Sequence, residues 1–196
     1  MKKLTSSLIA AGVIAGASMS APAMAEGPSG NVSIVSNYVW RGDTQTGDQP
    51  AVQGGLDWEK DKFAFGVWGS AVTGGSEIDV YGSYNFGPVT AGAIYYYYPG
   101  QTTLDFYEVN VGGDVGPVSL MASYNPDCTG CSYYLEAGYS FEVAKGASLD
   151  LHVGQAEGAT LDYSVGVATS AAGLDLGATY ANKDTGVFFV SVGKSM

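Results

Sequence analysis

Leu161-Asp162-Tyr163-Ser164-Val165-Gly166-Val167-Ala168 alternates bulky Leu, Tyr, Val and Val with small or polar Asp, Ser, Gly and Ala. Successive side chains of a β-strand point to opposite faces, so this stretch has one bulky apolar face and one small, polar face. The same alternation recurs in segment after segment from Asn31 to the C-terminus. A soluble sandwich also alternates, but it turns its apolar face inward. Here Leu and Val are flanked by Tyr and Trp on one face, and Gly, Ser and carboxylates fill the other. That is the pattern of an outer-membrane β-barrel, with lipid outside and water inside.

The segmentation supports this reading. About twelve strands of roughly 9–11 residues are expected, the length that crosses an outer membrane when tilted. They begin near Asn31, Pro50, Lys62, Glu77, Val89, Asp105, Val118, Ser132, Ala147, Thr160, Leu174 and Gly186. An even count returns the C-terminus to the periplasmic side of the N-terminus. The links Glu59 to Lys62, Gly87-Pro88, Gly116-Pro117, Ala144 to Gly146 and Ala171 to Gly173 are short and rich in turn residues. The opposite set, Gly42 to Gln49, Thr73 to Ser76, Pro99 to Leu104 and Asn125 to Cys131, is mostly longer, as external loops are. None is long enough for a large lid.

The first 25 residues read as a secretion signal. Lys2 and Lys3 form a positive start, Leu8 to Ala17 a short apolar stretch, and Ala23-Met24-Ala25 a cleavage site, so the mature chain is expected to start at Glu26 as a single domain, 26–196. No later run reaches the roughly 18 apolar residues of a membrane helix. With 14 Tyr, 3 Trp, 7 Phe and 29 Gly, the composition suits a barrel with aromatic belts at both interfaces.

With the N-terminus placed in the periplasm, Tyr38, Trp40, Tyr95, Tyr97, Tyr107, Tyr124, Tyr133, Tyr163, Tyr180 and Phe188 are expected outward at external strand ends. Trp58, Phe63, Phe65, Tyr84, Phe86 and Phe141 are expected outward at periplasmic ends. Aliphatic residues lie between the two girdles.

The opposite parity gives the lumen. Its expected lining is Arg41, Asp57, Glu77, Asp79, Glu108, Asp114, Glu136, Asp150, His152, Asp162 and Asp175, together with Asn37, Gln53, Asn110 and Glu142. Trp68, Tyr81, Tyr96, Tyr98 and Tyr134 also point inward and would narrow the bore. The formal charge is −11, and loss of Lys2 and Lys3 makes it two units more negative. Nucleic acid is excluded as a partner, because phosphate binding needs a basic footprint. An acidic lumen concentrates cations. Arg41 reads either as a selectivity residue across a constriction or, in preference, as a salt-bridge partner for buried acids. Glu77 and Asp79 share a face, but calcium wants 6–8 oxygen ligands, so the pair reads as a solvated wall and no metal or cofactor is expected.

Two further features carry side chains capable of chemistry. Cys128 and Cys131, spaced C-x2-C, are expected to form a disulfide in an oxidising compartment. A redox site lacks a βαβ context, and a zinc site lacks a second ligand pair. His152 lies two residues from Asp150 on the same face. The chain has no second His and no G-x-S-x-G, so no enzyme activity is expected.

The stretch Asn31 to Gly42, followed by Gln49 to Asp57, resembles the TorF family of porins. Gly66 to Ser70, Glu77 to Tyr81 and Tyr97 to Gly100 match further blocks of that pattern. The resemblance covers most of the mature chain and is strongest from Asn31 to Gly100. It implies a proteobacterial outer-membrane barrel with a channel role. The last residue, Met196, departs from the terminal aromatic common in such barrels. Lys194 interrupts the outward row, where it can snorkel to the interface.

The expected function is passive diffusion of small hydrophilic solutes with a cation bias. Outer-membrane lipid and the outer-membrane assembly machinery are the expected partners. The rivals are a closed structural barrel whose external loops bind a partner, a hydrolase centred on His152, and a soluble sandwich.

Overall fold

The computed structural model describes residues 27–196; the expected signal peptide lies outside them. Among the described residues the chain forms β1 (Gly27–Val35), β2 (Val39–Trp40), β3 (Asp43–Thr44), β4 (Ala51–Lys60), β5 (Phe63–Val72), β6 (Gly75–Asn85), β7 (Thr90–Tyr97), β8 (Phe106–Val115), β9 (Val118–Tyr124), β10 (Tyr133–Ala144), β11 (Ala147–Ala156), β12 (Asp162–Ala171), β13 (Leu174–Asn182) and β14 (Gly186–Ser195). Twelve of these close into one barrel, with β1 paired to both β4 and β14. All pairings are antiparallel between neighbours in sequence, apart from the closing pair and the skip over β2 and β3. The fold class is thus all-β, a closed twelve-strand antiparallel barrel.

The parity is continuous around the ring. In β12, Asp162, Ser164, Gly166 and Ala168 are buried, while Tyr163, Val165 and Val167 are exposed. Cross-strand partners share a face, and the chain of partners Gln53↔Ser70↔Glu77 carries the inward face from β4 to β6. The outer surface displays Val32, Ile34, Val52, Leu56, Val67, Val80, Val109, Val111, Leu135, Val153, Val165, Val167, Val190 and Val192, all exposed. An apolar band circling the molecule far exceeds the patches that soluble monomers expose. The barrel is built with its apolar face outward, as a bilayer requires.

Most of the expected girdle is in place. Tyr95, Tyr97, Tyr107, Tyr124, Tyr133, Tyr163, Tyr180 and Phe188 are exposed near one rim, and Phe63, Phe65, Phe86 and Phe141 near the other. Two residues depart from it. Tyr38, only 3% exposed, is turned inward, and Trp40 packs beside Tyr96 and Phe106 on the inner wall. The reason is that the chain leaves the wall after Val35, and residues 36–50 fold back into the barrel instead of extending the strand.

The turns at one rim are tight. Positive φ at Asp61, Gly116, Gly146, Ala172 and Gly173 reverses the chain in the left-handed conformations that hairpins need. Ala172 (φ 53) carries a Cβ in that conformation and precedes Gly173 (φ 76). Ala172→Asn recreates the preferred Asn-Gly pair. It is expected to raise stability by up to about 1 kcal/mol, read as a higher temperature for loss of the compact band in gel electrophoresis.

Candidate functional site

Loop 36–50 is the feature that organises the interior. Its centre is a minimal hairpin, with Val39 paired to Thr44 and Trp40 to Asp43. The tip is Arg41-Gly42, both with positive φ (49 and 79), as a two-residue type I′ turn requires. A side chain at Gly42 would sit 2.7 Å from Lys183 Cβ and 2.9 Å from Asp162 Cβ, so glycine also permits the close approach to the wall.

The loop is braced internally. The Thr44 and Thr46 hydroxyls both donate to Asn37 Oδ1, at 2.6 and 2.9 Å, and Asn37 Nδ2 donates to Asp48 Oδ1 at 2.8 Å. It is also docked by apolar contacts. Tyr38 packs with Val35 and Ala51, and Val39 packs with Ala181 and Phe189.

The tip reaches across the bore. In the closed strand order β9 lies opposite β1, flanked by β8 and β10. Arg41, carried on the loop that leaves β1, makes a bidentate pair with Glu108 on β8, both contacts at 2.8 Å. Its guanidinium also lies 4.0 Å from the ring centroid of Tyr134 on β10 and 4.3 Å from that of Trp40. Two parallel N–H···O bonds and two aromatic faces suit a guanidinium. Lys183 Nζ holds Asp43 at 2.6 Å on the other flank, and the Tyr38 hydroxyl donates to Glu77 at 3.1 Å on β6. The hairpin therefore touches the wall on several sides.

The lining residues fall into two groups. Toward the loop, Glu77, Asp79, Glu108 and Asp162 are buried, and Glu136 is half-buried. The Tyr134 hydroxyl donates to Asp162 at 3.0 Å and lies 3.0 Å from His152 Nε2, which is 3.2 Å from the same carboxylate. His152 Nδ1 lies 3.7 Å from Glu136. His152 is thus a member of a polar network. Ser164, its cross-strand neighbour, has a hydroxyl with no partner, so the Ser–His contact of a nucleophile relay is not made.

Toward the other rim, the Tyr81 hydroxyl donates to Asp57, Ser140 and Ser148 donate to Asp150, and Ser170 and Ser195 donate to Asp175. Asp114 and Glu142 are exposed near the end of their strands, so they belong to the mouth and not to the constricted part of the bore. Between them the inner wall carries Gly66, Gly92, Gly112, Ser119, Gly138, Gly166, Gly177 and Ser191, whose cross-strand partners place them on the inward face. This half is lined by small and polar side chains, whereas the loop-side half is narrowed by the loop. Tyr96 and Tyr134 are buried in the loop-side half, while Trp68, Tyr81 and Tyr98 are partly buried.

Several inward residues were not anticipated from sequence. Ile94, Phe106, Met121, Val187 and Phe189 lie on the inner parity. They sit level with the loop or beneath it, and Phe106 stacks on Tyr96 with centroids 4.3 Å apart. The available signal was apolar residues out of phase at the external strand ends, which marks something packed inside.

Cys128 and Cys131 lie together in the 125–132 loop, with Cα atoms 5.4 Å apart, a separation that a disulfide spans. In the neighbouring 157–161 loop, Ser132 donates to Glu157 through its backbone N–H and its hydroxyl. These bonds hold the Glu157 carboxyl below the usual carboxylate range. Among the described residues no group of three or more His, Cys, Asp or Glu is gathered to hold a metal ion.

A family model described as a bacterial protein of unknown function, Gcw_chp, matches residues 20–194. No curated protein matches. Among solved structures, a chain from work on the in-meso crystallization of membrane proteins matches with a TM-score of 0.57 and 8% identity, over 87% of this chain and 83% of that one. Engineered variants of the Rhodopseudomonas blastica porin match 74% of this chain at a TM-score of 0.46 and 10% identity. This chain spans 55% of the length of those porin chains. Identities this low speak to the fold alone.

Proposed function

This chain belongs to the Gcw_chp family of bacterial proteins of unknown function, and we propose that it is a porin-type channel of the outer membrane, exported by its N-terminal signal. Small hydrophilic solutes cross through a narrow wet path beside an inward-folded first loop, and small cations are favoured. The observation that carries this reading is the inverted barrel itself. Its outer wall is aliphatic, and its inner wall combines small residues with carboxylates. Only a bilayer outside and water inside reward both faces. The resemblance of Asn31 to Gly100 to the TorF porins points the same way.

Cation preference follows from the charges that meet inside. Glu77, Asp79, Glu108, Glu136 and Asp162 face the loop-side half of the bore, against Arg41. A low-dielectric wall focuses that negative field on the path. A reversal potential measured across a tenfold salt gradient is expected to carry the sign of cation preference. A potential of the opposite sign would leave the pore and remove the electrostatic argument. One observation favours a second reading, a closed barrel with an interaction role: the loop is latched on both sides of the bore, by Arg41–Glu108 and by Lys183–Asp43.

A further inference from the structure

Glu77 and Asp79 are adjacent positions on the inward face of β6, and both are deeply buried, at 2% and 6% exposure. This overturns the expectation of a solvated wall. Buried carboxylates need a countercharge or a full set of hydrogen bonds. Glu77 accepts a bond from the Tyr38 hydroxyl at 3.1 Å, and the Tyr98 hydroxyl and the Asp79 carboxyl lie beside it. Asp79 Oδ1 has no hydrogen-bond partner and is cut off from solvent.

Among the described residues no cationic side chain is free to supply the charge. On the loop side of the barrel Arg41 is committed to Glu108 and Lys183 to Asp43. His152 is engaged with Asp162 and Glu136. Lys60, Lys62, Lys145 and Lys194 lie at the other rim, in its turns and strand ends. The pair is flanked by aromatic side chains. Trp68 and Tyr96 are the cross-strand neighbours of Asp79, and Tyr38 meets Trp68 edge to face at 5.5 Å.

We infer that the Glu77–Asp79 pair, beneath Tyr38, is a binding site for one small monovalent cation of the potassium or ammonium class. The unsatisfied Asp79 Oδ1 and the second carboxylate supply the charge. The neighbouring rings of Trp68, Tyr96 and Tyr38 suit a weakly hydrated ion, which aromatic faces attract. A divalent ion is the poorer match, because calcium takes 6–8 oxygens and magnesium a near-ideal octahedron, and among the described residues no third carboxylate joins the pair. The site deepens the channel reading by naming a cation and its resting place, and it rests on that reading only for the ion's route of entry. Tyr38 belongs to the inward loop, so occupancy also steadies the loop against β6.

The test is thermal unfolding of the folded protein in detergent, in potassium chloride against N-methylglucamine chloride at equal ionic strength. A ligand that binds only the folded state raises its stability. The unfolding midpoint of the wild type is expected to rise by about 3 °C or more in saturating potassium, and the rise should vanish in Asp79→Asn and in Glu77→Gln. No rise in the wild type, as a pair sharing one proton would give, overturns the site. A rise that persists in both variants also overturns it, because the ion then binds elsewhere. Conductance is read separately. A silent barrel that still responds to potassium through Asp79 retains the site and removes the channel.

Discussion

Replacing Arg41 by alanine is expected to raise the single-channel conductance of the refolded protein by at least about twofold. Arg41 is the residue by which the loop crosses the bore and grips the far wall, through two 2.8 Å bonds to Glu108. Removing one partner of a buried ion pair costs about 3–5 kcal/mol, because the other charge is left unpaired. The barrel wall does not need this pair, since its strands are held by their own ladders. The strain is relieved most cheaply if the hairpin undocks and water reaches Glu108. Arg41→Lys should be intermediate, because an ammonium cannot make the bidentate contact or lie flat against Tyr134. Glu108→Gln should resemble Arg41→Ala in conductance and shift selectivity less toward cations. A conductance of Arg41→Ala equal to that of the wild type would show that the loop does not limit the path.

The second large effect concerns the outer wall. Val165 lies mid-strand in β12, exposed, between Leu151 and Tyr180 on the adjoining strands. Val165→Arg places a charge near the midplane of the lipid band. Such a charge costs about 2–4 kcal/mol there and about 0–1 kcal/mol near the interface. Leu174, also exposed, begins β13 at the rim of tight turns, so Leu174→Arg should be nearly neutral. Folding yield into lipid vesicles should therefore fall sharply for the first variant and little for the second. Equal effects at both depths would mean that no bilayer surrounds the wall.

The wall was legible in the sequence because lipid imposes one rule on every outward residue. The alternation seen at Leu161 to Ala168 fixes the face of each side chain, and one slip would put Asp162 in lipid. The tight turns, such as Gly116-Pro117 and Ala172-Gly173, punctuate that pattern at regular intervals. The strand starts at Val118, Ala147, Leu174 and Gly186 follow directly.

The interior was legible only in its composition. Arg41 was recognisable as the basic residue among acids and as a salt-bridge partner, but not as the tip of a hairpin spanning the bore. That arrangement depends on Glu108, 67 residues away, and no local rule links the two. Tyr38 and Trp40 continue the outward parity of β1 by counting, yet they turn inward once the chain leaves the wall at Val35. The burial of Glu77 and Asp79 was hidden for the same reason, since Tyr38 on the loop is what covers them. Inward apolar residues such as Phe106 and Phe189 were the trace of that loop in the sequence.

If a water-filled path runs through the barrel, narrowed by its first loop, single-channel recording in planar bilayers will detect it. Wild-type protein, shown to be folded, should give small discrete steps with cation preference, and Arg41→Ala should give larger ones. A folded barrel that stays silent in both forms, at every salt concentration and voltage, would contradict it.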